Sequence, residues 1–303
     1  MFLNTLALYG LTVLIWGSSW FAIRYQLDFV PPEVSLFYRF LLASIILIVW
    51  CLGRGISLKI KTRQHFFLAA QGFCMFGLNY ILFYHAAFDI ASGLLAVVFS
   101  MITGMNIING AVFLKRPIRT KTAVGAAIGL CGMGLVFWPE ITSSGKVAVG
   151  ALIVSVAATY SASLGNILSA RNQASGISVT AGNAIGMTYG TIFLFVYCVY
   201  SGSPFVLEPS LKYLGSLMYL AFFASVIAFG CYLTLIGRIG PGNAAYATVL
   251  APIIALALST GFEGYQWQVR AIIGVGFVLI GNILVLAPKH ALIKAGLRLK
   301  LKI

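Results

Sequence analysis

Charge is what this chain has least of. Only 9% of its 303 residues are charged, against roughly 25% in an ordinary soluble domain. Six residues are acidic (Asp28, Glu33, Asp89, Glu140, Glu208 and Glu263), and none lies deep in an apolar run. Proton- and sodium-coupled pumps commonly keep such a carboxylate at their core. There is no HExxH, no P-loop and no Ser-His-Asp constellation, so the sequence offers no enzyme chemistry. ATP-driven transport would need a partner chain. The five cysteines (Cys51, Cys74, Cys131, Cys198 and Cys231) fall in or beside apolar runs and form no CxxC. Neither a disulfide framework nor a metal site follows, and no cofactor is implied. The start, Met1 to Tyr9, lacks a basic region and a cleavage site and reads as the opening of a first span.

What the chain has in excess is apolar length. Hydrophobic residues make up 60% of it. They gather into ten runs: 3–23, 34–52, 66–86, 91–114, 121–138, 147–169, 178–200, 212–236, 242–262 and 271–287. About 20 apolar residues cross a bilayer as a helix, and lipid leaves backbone groups no other partner. The expected fold is an all-α integral membrane protein of ten transmembrane helices. The net charge of +14 does not indicate nucleic-acid binding, because the basic residues sit in short loops, where membrane topology places them.

Those loops alternate. One set holds Arg54, Lys59, Lys61, Arg63, Lys115, Arg116, Arg119, Lys121, Arg171 and Arg238, and the tail adds Lys289, Lys294, Arg298, Lys300 and Lys302. The other set holds Arg24, Lys146, Lys212 and Arg270, with the acids in or beside it. The positive-inside rule then makes both termini cytoplasmic. The tail reads as either an interfacial helix on anionic lipid or a disordered basic segment.

An internal repeat divides the chain. Gly93, Ala96, Phe113, Gly125, Leu130, Gly132, Leu135, Val136 and Pro139 recur 149 positions later as Gly242, Ala245, Phe262, Gly274, Leu279, Gly281, Leu284, Val285 and Pro288. The expected units are 1–143, 144–290 and a basic tail, 291–303. Each half has five spans, an odd number, so the halves enter the membrane with opposite orientation. Inverted repeats of this kind suit a carrier that exposes a central site to each side in turn.

Polar faces on apolar spans mark where a solute could bind. Ser92, Ala96, Phe99, Thr103, Asn106 and Gly110 share one stripe of the fourth span, with Ser100 beside it. The expected cavity residues are Trp16, Ser19, Asn79, Tyr80, Tyr84, Ser100, Thr103, Tyr160, Asn166, Tyr232 and Tyr246. Tyrosine and tryptophan would stack on the solute, while asparagine and serine bond its polar groups. Gly104 and Pro252 would give the helices somewhere to bend, since proline removes a backbone hydrogen bond near midspan. Small residues also glue transmembrane helices without binding anything, and the glycine ridges Gly182, Gly186, Gly190 and Gly125, Gly129, Gly132 are read as packing. Arg39, with Glu33 six residues before it and Asp28 nearby, is expected to pair or snorkel.

At this point the chain resembles a known family. Trp16, Gly17 and Ser18 resemble the first-span signature of the EamA family of drug/metabolite transporters (the DMT superfamily). Pro31 and Pro32 followed by Arg39 and Phe40 resemble its second-span pattern, and Pro252, Glu263, Gly274 and Gly281 its repeat ending. The resemblance implies ten spans in two inverted five-helix repeats, both ends cytoplasmic, and a cavity formed mainly by spans 1, 3, 4, 6, 8 and 9. The aromatic lining resembles that of bacterial aromatic amino-acid exporters. Three positions depart: Lys115 and Arg116 stand where the family often has Gly-Glu, and Thr103 where it often has proline.

The expectation is therefore an inner-membrane exporter of small neutral or zwitterionic metabolites, amino acids and especially aromatic ones, working without a coupling ion. Its partners are a small-molecule substrate and membrane lipid, not nucleic acid; the sequence leaves the oligomeric state open, a monomer included. An ion-coupled multidrug exporter on the same fold is the alternative. A lipid-modifying membrane enzyme is more remote, because the acids are scattered over separate loops.

Overall fold

The computed structural model describes residues 4–27, 30–115, 120–244 and 246–286. The tail and Asp28, Arg116 and Arg119 lie outside them. Ten helical spans follow one another: α1 (Thr5–Arg24), α2 (Pro32–Gly53), α3 (Thr62–Ala86), α4 (Ser92–Leu114), α5 (Thr120–Ser144), α6 (Lys146–Ala174), α7 (Val179–Ser201), α8 (Leu211–Ile239), α9 (Tyr246–Phe262) and α10 (Val269–Leu286). Seven are long and apolar enough to cross a bilayer; α5, α9 and α10 carry shorter apolar stretches. Many large apolar side chains face outward around the bundle, among them Val49, Ile153, Val196, Phe222, Ile253 and Ile280. Such a surface is tolerable in lipid and not in water. The chain is a multi-pass membrane protein.

Local chemistry sets the helix ends. The Asn4 carboxamide accepts from the Ala7 amide at 2.7 Å and caps α1. Ser178 and Ser210 do the same for α7 and α8. Pro32 opens α2 in the first turn, where its missing N–H costs nothing. Gly202 closes α7 in the left-handed region, at φ 68°.

The two halves meet through their glycines. A β-carbon on Gly132 of α5 would lie 2.6 Å from the Gly274 carbonyl oxygen of α10, and one on Gly281 would lie 2.5 Å from the Gly125 carbonyl oxygen. Only glycine permits this approach. The contact is reciprocal. Gly125 and Gly132 are the repeat partners of Gly274 and Gly281, and each pair joins one position to the other's counterpart. That crosswise pattern is the mark of a two-fold relation, here between halves of one chain.

Two helices carry wide π-helical turns. One covers Phe73–Leu78 in α3 and the other Tyr219–Ala228 in α8. Adding 149 to the first gives 222–227, inside the second. A π turn loosens the backbone ladder, often at a functional site. In both helices a side chain from another helix meets a carbonyl of the widened turn: Ser161 donates to Cys74 at 2.8 Å, and the Trp16 indole to Ala224 at 3.3 Å.

Candidate substrate cavity

These π turns border the central cavity of the bundle. Its walls come from α1 (Trp16, Ser19, Trp20, Ile23), α2 (Arg39), α3 (Met75, Asn79, Tyr80, Phe83), α4 (Ala96, Phe99, Ile102), α6 (Ala162, Asn166), α8 (Phe229, Tyr232) and α9 (Thr248, Ala251). Shifting by 149 pairs Tyr80 with Phe229, Phe83 with Tyr232, Phe99 with Thr248 and Ile102 with Ala251, and both members of each pair line the space. The cavity therefore sits on the pseudo-two-fold axis.

Rings dominate the walls. Trp16 packs edge-on against Phe229 at 5.1 Å and tilted against Tyr232 at 4.7 Å, and Trp20 meets Phe83 at 5.0 Å. The polar groups are few and aimed inward among them. The Asn166 amide donates toward Asn106 at 3.4 Å and the Tyr232 hydroxyl at 3.5 Å, both long contacts. Behind them Asn109 donates to Ser163 at 2.8 Å and ties α4 to α6. The cavity has a volume of about 40 Å3, room for roughly three waters. An amino-acid-sized solute enters only when walls part.

Six expected residues line this cavity: Trp16, Ser19, Asn79, Tyr80, Asn166 and Tyr232. Tyr84 is buried one layer behind, beside Arg39. Ser100 is buried too, donating to the Val97 carbonyl and accepting from Asn282 of α10, so it joins helices. Thr103 is buried off the cavity, with no partner for its hydroxyl. Tyr160 is 46% exposed on the outside of the bundle. It lies six residues from Asn166, about 120° around the helix, so the two cannot share a face. The Tyr246 side chain lies outside the described residues.

The two expected bend points lie on α9 and α4. Pro252 is buried within α9, which continues through it, and Thr248, one turn before, reaches the cavity. α4 makes a one-residue turn at Met101, φ -64° and ψ -14°, beside the cavity residues Phe99 and Ile102. Gly104 follows on the resumed helix, and a β-carbon there would touch only Ala126, at 4.0 Å.

Arg39 is the correction of most consequence. It neither snorkels nor pairs with Glu33, whose carboxylate accepts instead from the Ser203 hydroxyl. Arg39 is 1% exposed and forms part of the cavity wall. Trp20 lines the cavity beside Trp16, and Phe83 and Phe229 are further lining residues that polarity alone does not mark; helical phase and the repeat are the signals that find them. Trp20 lies four residues after Trp16, on the same face. Phe229 is the repeat partner of Tyr80.

The geometry has known counterparts. The 303-residue chain is 28% identical over 290 residues to the "Uncharacterized inner membrane transporter YedA" of Escherichia coli K12, covering 94% of this chain and 90% of that one. It is 24% identical over 256 residues to a "Probable amino-acid metabolite efflux pump" of the same organism, covering 82% and 83%. A solved crystal structure superposes with a TM-score of 0.69 over 93% of this chain and 96% of that one, at 16% identity, which speaks to fold alone. The sequence profile of the EamA-like transporter family matches twice, over residues 5–138 and 149–287. With a profile match in each half and a cavity on the axis between them, the chain belongs to the EamA-like transporter family.

Proposed function

We propose that this transporter exports small neutral or zwitterionic metabolites, amino acids first and aromatic ones favoured, by alternating access in the bacterial inner membrane with both ends cytoplasmic. The observation that carries the reading is the cavity on the pseudo-two-fold axis, walled by rings with Asn79, Asn166 and Tyr232 among them. Repeat-related walls let the two halves exchange roles, so one site can face either side. Rings offer stacking area for a flat side chain, and amides offer hydrogen bonds to its polar end. The metabolite efflux relative points to the same substrate class. No acid lies deep in any span of the sequence, so the mechanism is uniport-like.

The ion-coupled multidrug alternative fits less well, because the charged residue in the wall is a cation, Arg39, and repels cationic drugs. The test is flux of labelled aromatic amino acids into proteoliposomes. Flux above protein-free vesicles, unaffected by an imposed pH gradient, is expected. No flux for any amino acid overturns the substrate class, and gradient-driven accumulation overturns uniport.

A further inference from the structure

Arg39 places a cation in the wall of an otherwise neutral cavity. Arginine keeps its charge in proteins under all ordinary conditions. A buried cation inside a membrane normally faces a carboxylate, because desolvating it alone is costly. Here the guanidinium donates to three neutral hydroxyls: Ser225 at 2.9 Å, Tyr84 at 3.3 Å and Tyr80 at 3.4 Å. It also lies 4.5 Å from the Tyr80 ring centroid. Among the described residues no carboxylate forms an ion pair with it. Three of the five N–H groups of a guanidinium are thereby engaged, all by uncharged partners.

We propose that Arg39 binds a carboxylate on the transported solute, so that the substrates are carboxylates with an apolar or aromatic body. This rests on the reading of the cavity as a transport site. The chemistry is specific. A guanidinium is a planar fork that meets a carboxylate through two parallel hydrogen bonds. Tyr80, stacked and hydrogen-bonded, and Ser225, on the π turn of α8, fix its orientation. The carboxylate supplies the counter-charge that the protein leaves out, and the aromatic wall around Trp16 and Phe99 receives the rest of the molecule. An amine without a carboxylate meets only repulsion. Ser225 belongs to the second half and Tyr80 to the first, so a solute held by Arg39 touches a group gripped by both.

The test uses the full chain in lipid nanodiscs and calorimetric titration at neutral pH. The probes share a phenyl ring and a short chain but differ in head group: L-phenylalanine, 3-phenylpropionate, 3-phenylpropionamide and phenethylamine. The expected result is that both carboxylates bind about tenfold or more tightly than the amide and the amine, the scale of a charge-assisted contact. R39Q erases that difference and R39K keeps part of it. The proposal is overturned by equal binding of 3-phenylpropionate and 3-phenylpropionamide, by tighter binding of phenethylamine, by no binding of either carboxylate, or by a carboxylate preference that survives in R39Q. The head-group series on the unaltered protein decides the matter even where R39Q fails to fold. A protein that binds neither carboxylate yet moves another solute in proteoliposomes loses the Arg39 assignment and keeps its transport function; one that moves no solute loses the transport reading itself.

Discussion

At the scale of single residues, the cavity depends on a few polar groups set among rings. Asn166 is the amide that bridges α4 and α8, through Asn106 and Tyr232. Asn166→Ala removes the link between α6 and both neighbours, so flux of a transported amino acid should fall about tenfold. Tyr160→Ala, on the lipid-facing surface, should leave flux within about twofold, since isolated surface changes are close to neutral. Equal losses in the two variants would place the site elsewhere. Trp16→Phe keeps an aromatic ring but loses the bond to the Ala224 carbonyl, and should lower stability by about 1 kcal/mol in thermal unfolding. A larger loss would mean that the indole's bulk, and not its N–H, holds the π turn. Residue type alone did not locate the lining. Tyr160 and Tyr84 have suitable chemistry but the wrong helical phase or depth, and the nearness of Arg39 to Glu33 along the chain does not bring their side chains together. Which way α2 turns that side chain depends on where α3 and α8 pack, and no local pattern encodes this.

Among elements, two contacts join the halves. The first is the glycine crossing of α5 and α10. Gly132→Leu forces a side chain into the Gly274 backbone and should cost on the order of 2 kcal/mol or more. Unfolding of purified protein in detergent measures it; an unchanged midpoint would show that the helices do not cross so closely. The second contact is Glu263, beyond the end of α9. Its carboxylate accepts from the Ser92 amide at 3.0 Å, the Ser92 hydroxyl at 2.5 Å and the Ser259 hydroxyl at 2.8 Å. It thus caps the first turn of α4 from the other half. The position 149 residues earlier is Leu114, with Lys115 after it, so the opposite end of the α4–α9 pair has no equivalent carboxylate. Glu263→Gln should raise amide hydrogen exchange over residues 92–96 and leave residues 110–114 unchanged, at a cost of about 1 kcal/mol. A uniform rise, or none, contradicts a local cap. Proline chemistry marks Pro252 in α9 as a bend point, whereas the turn at Met101 in α4 carries no such mark in the sequence. The π turns were equally hidden, because they rest on side chains that arrive from distant helices, Trp16 and Ser161.

Across the whole molecule, the architecture was legible because physics limits it tightly. Bilayer thickness fixes span length, and an odd number of spans per half fixes the inversion. The nine recurring residues located the repeat, and the crosswise contacts of Gly125, Gly132, Gly274 and Gly281 give it a physical form. The same shift of 149 pairs cavity residues, which places the site on the axis where the halves can exchange roles. Substrate identity was less legible, since it depends on how seven helices converge side chains that are far apart in the chain.

The central claim is that one cavity on this axis opens in turn to each side of the membrane. Two repeat-related wall positions test it most directly. With the five native cysteines replaced, single cysteines are placed by Phe99→Cys and Thr248→Cys in oriented vesicles. A membrane-impermeant thiol reagent is then applied from one side or the other, with and without a transported solute. Alternating access predicts that each position is modified from both sides and that the solute protects it. Modification of either position from one side only, or a rate indifferent to solute, would contradict the account.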